Sequence, residues 1–249
     1  MKKITASRAF SRAWEIFKNN PIQHIGVFFL AMFIIGIFNS LANPNMSAMF
    51  MRSGMDNLAN TPTPHVSPFW SIVNFIIQAI VYLFLLGYTL DVVRNNYKGF
   101  NQIFSKYVTL KLFLYYFIFS ILIGLIAIIL LLPGFMMMLS KSGSGGIIFF
   151  IGFIVFFYII IRLMFTSYLF LDGHDFADAL KISWQKTRPY IGELLLLIIM
   201  ALLVIFLGLI ALIIGVFIAI PVVYFAQAVF YNEAISDEAP QSEVPSGLE

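Results

Sequence analysis

Arg162 is the first residue whose type and setting could do chemistry, because it interrupts a run of apolar residues between Ile147 and Leu171. An ionisable group inside a spanning segment is a functional candidate by default. It lies nine residues before Leu171, about 13 Å along a helix. That is close enough to an interface for its head to snorkel, or to pair with a helix-end acid such as Asp91 or Asp172. The other reading is contact with a substrate or a lipid phosphate. A second constellation is Asp172, His174, Asp175 and Asp178. Read as chemistry, it is a metal or acid–base set; read as structure, Asp175 is a helix N-cap and Asp178 sits near the positive helix end. The structural reading accounts for both residues with ordinary geometry.

Asn74, Gln78 and Tyr82 recur every fourth residue, which places them on one helix face. Gln227 and Tyr224, with Thr166 and Ser167, could face the same interior. Interhelical hydrogen bonds of about 0.6 kcal/mol each are the favoured explanation of such a stripe; the lining of a polar path is the other. His24 and His65 have no partner near in sequence and read as solvated or interfacial. The sequence has three histidines and no cysteine, which excludes disulfides, thiolate metal sites and cysteine nucleophiles. No phosphate-binding glycine loop, H-E-x-x-H, G-x-S-x-G or calcium loop occurs, nor any pair of carboxylates within a span. Neither an enzyme activity nor a metal or cofactor is expected.

The elements that carry these residues belong to a membrane. The chain is 61% hydrophobic and 11% charged, against about 45–50% and about 25% in soluble domains; its mean hydropathy is +0.93. A soluble core could not bury so much apolar surface, and the basic balance suits lipid headgroups rather than nucleic acid. The apolar runs predict six spans, at about 22–42, 69–90, 112–132, 147–171, 193–210 and 213–231. The last two divide a run from Leu194 to Phe230 that one span of about 30 Å cannot absorb. Three interfacial helices are predicted at about 4–19, 99–111 and 175–188. Ala6, Phe10, Ala13, Trp14 and Phe17 share a face of the first, opposite Arg8, Arg12 and Glu15, as in a helix lying at a membrane surface. Phe100, Phe104, Tyr107 and Val108 do so in the second, and Phe176, Leu180, Ser183, Trp184 and Thr187 in the third. Pro21 and Pro189 close the first and third. Pro133-Gly134 should break span three, residues 136–146 should form a short turn, and Pro221 should kink span six or mark a thin helix contact. Residues 43–68 read as an external loop. Residues 1–232 thus form one membrane domain, and 233–249 an acidic, disordered tail.

Ala9, Trp14 and Lys18 align with Ala179, Trp184 and Arg188, so an interfacial helix followed by a spanning hairpin recurs, with copies starting near 4, 99 and 175. The middle copy fits this alignment only with gaps. Twelve basic residues lie on one side: Lys2, Lys3, Arg8, Arg12, Lys18, Arg94, Lys98, Lys106, Lys111, Lys181, Lys186 and Arg188. Arg52 and Lys141 face the other. The positive-inside rule places both termini in the cytoplasm. Trp14, Trp184, Arg12, Lys186 and Arg188 are then interfacial anchors.

The order Arg162, Asp172-Gly173, Ala179-Leu180-Lys181-Ile182-Ser183-Trp184 and Gly192, followed by a double span ending Ile220-Pro221 and Tyr231, resembles bacterial membrane proteins related to the membrane domain of glycerophosphoryl diester phosphodiesterases. The resemblance covers residues 162–232, and the N-terminal half by topology only. It implies a polytopic inner-membrane protein of about six spans without an assigned activity. The phosphodiesterase chemistry of that group belongs to a separate soluble barrel rich in His and acidic metal ligands, so no catalytic function is carried over. The expectation is an all-α, non-catalytic membrane protein with a membrane-organising or accessory role. It would bind lipids or a protein partner, including a second copy of itself, at its basic face. The alternative is a transporter or channel using the interior of spans two, four and six.

Overall fold

The protein is all-helical over the residues that the computed structural model describes, 4–42, 68–140, 143–211 and 214–236. Ten α-helices follow in order: α1 (Ala6–Asn19), α2 (Pro21–Ala42), α3 (Pro68–Val93), α4 (Phe100–Tyr107), α5 (Leu110–Leu139), α6 (Gly145–Arg162), α7 (Thr166–Leu171), α8 (Phe176–Lys186), α9 (Ile191–Ile210) and α10 (Ile214–Ser236). Six of the helical stretches are long and apolar enough to cross a bilayer. A backbone in hydrocarbon must satisfy its own polar groups, and helices are the way a single segment does so. The order short helix, long helix, long helix recurs three times, with α7 as an added piece at the end of the second copy. The predicted loop at 43–68, except for Pro68, and residues 237–249 of the predicted tail lie outside the described residues.

Local chemistry sets the boundaries. Thr5 caps α1 by accepting from the Arg8 N–H at 3.3 Å, and Thr109 caps α5 by accepting from Leu112 at 3.3 Å. Pro21 opens α2 at the first helical position, where its missing N–H has no role. α3 and α7 end alike: Asn95 and Gly173 adopt positive φ (55° and 90°). The next residue's N–H reaches back in each case, Asn96 to the Asp91 carbonyl at 2.8 Å and His174 to the Leu169 carbonyl at 3.1 Å. These are left-handed C-caps of the Schellman type.

Several sequence expectations need correction. α5 runs through Pro133-Gly134 to Leu139. Breaking it there would expose backbone to lipid, and Gly134 instead lets α5 press on the backbone of Phe149. The turn is therefore shorter than the predicted 136–146. α10 contains Pro221 and continues to Ser236, so it includes Glu233, a residue assigned to the tail. The fourth span is two pieces, because α6 stops at Arg162 and α7 restarts at Thr166.

α10 is the hub. It packs on α1, α9, α3 and α2, and 56% of its apolar window is buried, against 6% for α5. Each short helix lies on the second long helix of the copy before it: α4 on α3, α8 on α7, and α1 on α10. The first short helix thus closes a ring by occupying the place that would follow the last span.

Candidate functional site

Packing of the short helices organises one end of the bundle. α1 buries Ala6, Ala9, Phe10, Ala13 and Phe17 against the protein, so its apolar face, predicted to lie on lipid, is mostly spent on α10 and α9. Trp14, at 45% exposure, remains outside. α4 buries Ile103 and Tyr107, while Phe100 and Phe104 are exposed; the predicted face is rotated. The reason is Gly87, which opens a slot in α3 that the Tyr107 ring fills so closely that a Cβ there would collide with it. α8 buries Ala179, Ser183 and Thr187. These faces supply the register that sequence alignment could not: Ala13, Ile103 and Ser183 correspond, as do Phe17, Tyr107 and Thr187. Trp14, Phe104 and Trp184 are then the equivalent exposed aromatics of the three copies.

Acids at span ends lock this layer. Asp91, almost wholly buried, accepts from the Tyr107 hydroxyl at 2.6 Å and from Lys106 at 3.0 Å. Burial and this carboxylate together push the Tyr107 hydroxyl well above its usual pKa. Asp172 accepts both Nη atoms of Arg94, at 2.6 and 2.9 Å, and the Tyr231 hydroxyl at 2.6 Å. Arg94 Nε donates to Asn232 at 2.9 Å. Glu233 accepts from Arg12 at 2.9 Å with Arg8 at 3.7 Å, and Glu193 accepts from the Ala6 N–H at 2.9 Å. Arg12, Arg94, Lys106, Lys111 and the acids they hold therefore share one end of the molecule, together with α1 and the end of α10.

The acidic cluster does not converge. Asp175 has the extended backbone of an N-cap residue, but its side chain makes no cap bond. It accepts instead from Tyr115 at 3.0 Å and Lys111 at 3.2 Å, which hold its carboxyl below the usual carboxylate range. Asp172 faces Arg94, and Asp178 is exposed. Among the described residues no group of three His, Asp or Glu side chains is placed to hold a metal. His24 corrects another expectation: it is buried, and its Nδ1 shares a 2.6 Å hydrogen bond with the Tyr88 hydroxyl. His65 lies outside the described residues.

The polar stripe of α3 is divided. Asn74 is buried with no partner at Oδ1, Gln78 is exposed, and Tyr82 lies between, its hydroxyl 3.5 Å from Ser167 and its ring 5.0 Å from Tyr116. Tyr224 packs edge-on against Phe28, and Gln227 is half-buried. Tyr82 and Ser167 thus link spans two and four by a hydrogen bond, while the Tyr82 ring packs on span three. Two grooves on the bundle are apolar. One, of about 560 Å³, runs along Phe29, Phe33, Ile37 and Phe217; the other, of about 390 Å³, is bounded by Phe10, Trp14, Gly208 and Gly215.

Arg162 stands apart from the stripe. It is buried to 3% exposure and pairs with neither predicted acid, since Asp91 and Asp172 already hold other cations. Its guanidinium lies 4.5 Å from the Trp184 ring and 6.0 Å from Tyr158, a cation–π placement. Nε and Nη1 are buried with no hydrogen-bond partner. The helix breaks here, freeing the Arg162 carbonyl, which accepts from Ser183 at 2.9 Å and Thr187 at 3.1 Å. α8 is thus pinned to the break, and its end leads through the Arg188–Tyr190 turn into the first turn of α9. That connection puts Arg162 near a helix entrance rather than mid-span. Sequence reasoning missed Arg94, Tyr231, Asn232 and Glu193; the lone acid Glu193 at a span start was the legible signal.

Fold and site define an all-α membrane protein with six candidate spans and a charged, locked end. No family model, curated protein or solved structure matches the chain.

Proposed function

We propose that the protein is a non-catalytic, membrane-organising or accessory component whose basic end recruits lipid headgroups or a membrane-protein partner. The observation that carries this reading is that Asn74, Gln78 and Arg162 are separated from one another, and from the Tyr82–Ser167 link. Asn74 points inward, Gln78 outward, and Arg162 lies under Trp184. A solute path would need such groups to line one space. The basic end supplies the complementary feature, with Lys181 and Arg188 exposed on or beside α8. With the positive-inside rule this end faces the cytoplasm of a bacterial inner membrane, in keeping with the resemblance of residues 162–232 to the membrane domain of glycerophosphoryl diester phosphodiesterases.

The test is purification with native lipid, mass spectrometry of what is retained, and solute release from proteoliposomes. Retained anionic lipid or a stoichiometric partner, with release no faster than from empty vesicles, is the expected result. Solute release that depends on the protein would overturn the proposal and favour a transporter or channel through spans two, four and six.

A further inference from the structure

An unpaired charge buried in protein is costly. The penalty is several kcal/mol per ion unless a counter-charge and hydrogen bonds answer it. Arg162 presents such a case: Nε and Nη1 are enclosed and unbonded, while Asp91 and Asp172 are paired with Lys106 and Arg94. The equivalent junctions of the fold are answered internally. At the α4–α3 junction Tyr107 fills the Gly87 slot and, with Lys106, meets the charge of Asp91 at Oδ1, and at the α1–α10 junction Arg12 meets Glu233. The α8–α6 junction alone among these three leaves a buried cation over.

The surroundings specify what would answer it. One guanidinium face is covered by Trp184, and the edge-to-face pair of Trp184 and Tyr158, 6.2 Å between centroids, is 40% and 43% exposed. Both rings therefore separate Arg162 from the outside rather than from the core. Tryptophan and tyrosine are enriched at headgroup depth, and the α8 end that holds the Arg162 carbonyl is the point where the chain enters α9. Lys181 and Arg188 add positive charge at the same rim. The phosphodiester of a lipid reaches this depth, stays out of the aqueous phase and accepts two N–H groups in a fork.

We infer that Arg162, beneath the Trp184–Tyr158 pair, is the binding site for the phosphate of an anionic phospholipid. The rings turn aside to admit the headgroup, and the phosphate oxygens accept from Nε and Nη1. This deepens the lipid-binding role proposed above and rests on it.

The experiment uses the full chain, stripped of lipid in neutral detergent. Phosphatidylglycerol, phosphatidylcholine and inorganic phosphate are the probes. Bound lipid is counted by native mass spectrometry, and thermal unfolding is followed in parallel. Trp184 emission, in a Trp14→Phe/Trp70→Phe background, reports the ring's movement. Phosphatidylglycerol should bind saturably, raise the unfolding temperature and shift Trp184 emission; inorganic phosphate and phosphatidylcholine should do none of these. Arg162→Met should bind phosphatidylglycerol roughly tenfold to a hundredfold more weakly, the loss of a charge-assisted pair. Its unfolding in phosphatidylcholine should be no earlier than the parent's, because methionine carries no buried charge. Lys181→Gln should weaken binding by only about fivefold, as a rim charge does.

Binding by Arg162→Met within about twofold of the parent would overturn the site. So would an equal response to inorganic phosphate. Early unfolding of Arg162→Met in phosphatidylcholine, with affinity kept, would reassign Arg162 to structure alone. In any of these cases the parent's retention of native lipid and its lack of solute release would still judge the wider proposal independently.

Discussion

The α5–α6 hairpin and the bundle of α2, α3, α9 and α10 have similar composition but are held by different forces. The hairpin is joined backbone to backbone: Gly134 lies against Phe149 and Gly152 against the Leu130 carbonyl, so closely that any Cβ would collide. Outside that seam it is exposed, with 6% and 17% of the apolar windows buried for α5 and the span containing α6. The bundle has one such seam, Gly208 of α9 against Gly215 of α10, and is joined besides through rings and polar links, such as His24 with Tyr88 and Phe225, and Phe28 with Tyr224. Lipid is as apolar as leucine, so burying more leucine holds neither region together. Close van der Waals approach and interhelical hydrogen bonds do. The hairpin relies on the first, the bundle on both.

That contrast can be broken at its strongest point. Gly152→Leu should part α5 from α6 and lower stability by about 3 kcal/mol, the upper end for overpacking. Gly124→Leu on the same hairpin, where nothing lies within 4 Å of the added Cβ, should change it by less than about 0.5 kcal/mol. Reversible unfolding in mixed micelles measures both, and equal losses would refute a backbone seam. In the bundle and its end layer, Tyr107→Phe leaves the buried Asp91 with Lys106 as its one remaining side-chain donor, and should cost about 2 kcal/mol. Arg94→Lys loses the forked contact to Asp172. At this partly exposed site the loss should be about 1 kcal/mol, read by the same unfolding.

The smallest effect belongs to Asp175, which ties the hairpin's foot to α8. Its carboxyl is held below the ordinary aspartate value of 3.8 by Tyr115 and Lys111. A depressed folded-state value means that the stabilisation is present above that pH and is lost as pH falls through the lower, folded value. Asp175→Asn should therefore differ from the parent above pH 4 or so and converge with it below. Acid titration followed by Tyr115 emission, which the bond at 3.0 Å should perturb, checks this.

Most spans were legible because length and hydropathy act along the chain. α2 and α9 begin within two residues of the predicted limits and end on them. What was not legible is set across the chain. Whether Pro133 ends a helix depends on lipid and on Phe149. Which face of α4 is buried depends on Gly87, and that one slot rotates Phe100 and Phe104 outward. The candidate site divides the same way. Arg162 was conspicuous as a lone charge, but its neighbours Trp184, Ser183 and Thr187 come from a helix that sequence assigned to the membrane surface. His24 had no near partner in sequence because Tyr88 is 64 residues away. The recurrence is visible in sequence through Ala9, Trp14 and Lys18 against Ala179, Trp184 and Arg188; the Phe104 correspondence needed the buried faces.

The central claim is that the polar groups of the spans do not form a water-filled path. The chain contains no cysteine, so single cysteines can be read without background. Asn74→Cys, Gln78→Cys and Tyr82→Cys should resist a membrane-impermeant maleimide applied to either side of sealed vesicles, while Lys181→Cys reacts readily from the side bearing the basic end. Labelling of Gln78→Cys or Tyr82→Cys at a rate approaching that of Lys181→Cys would place water beside the stripe and contradict the account.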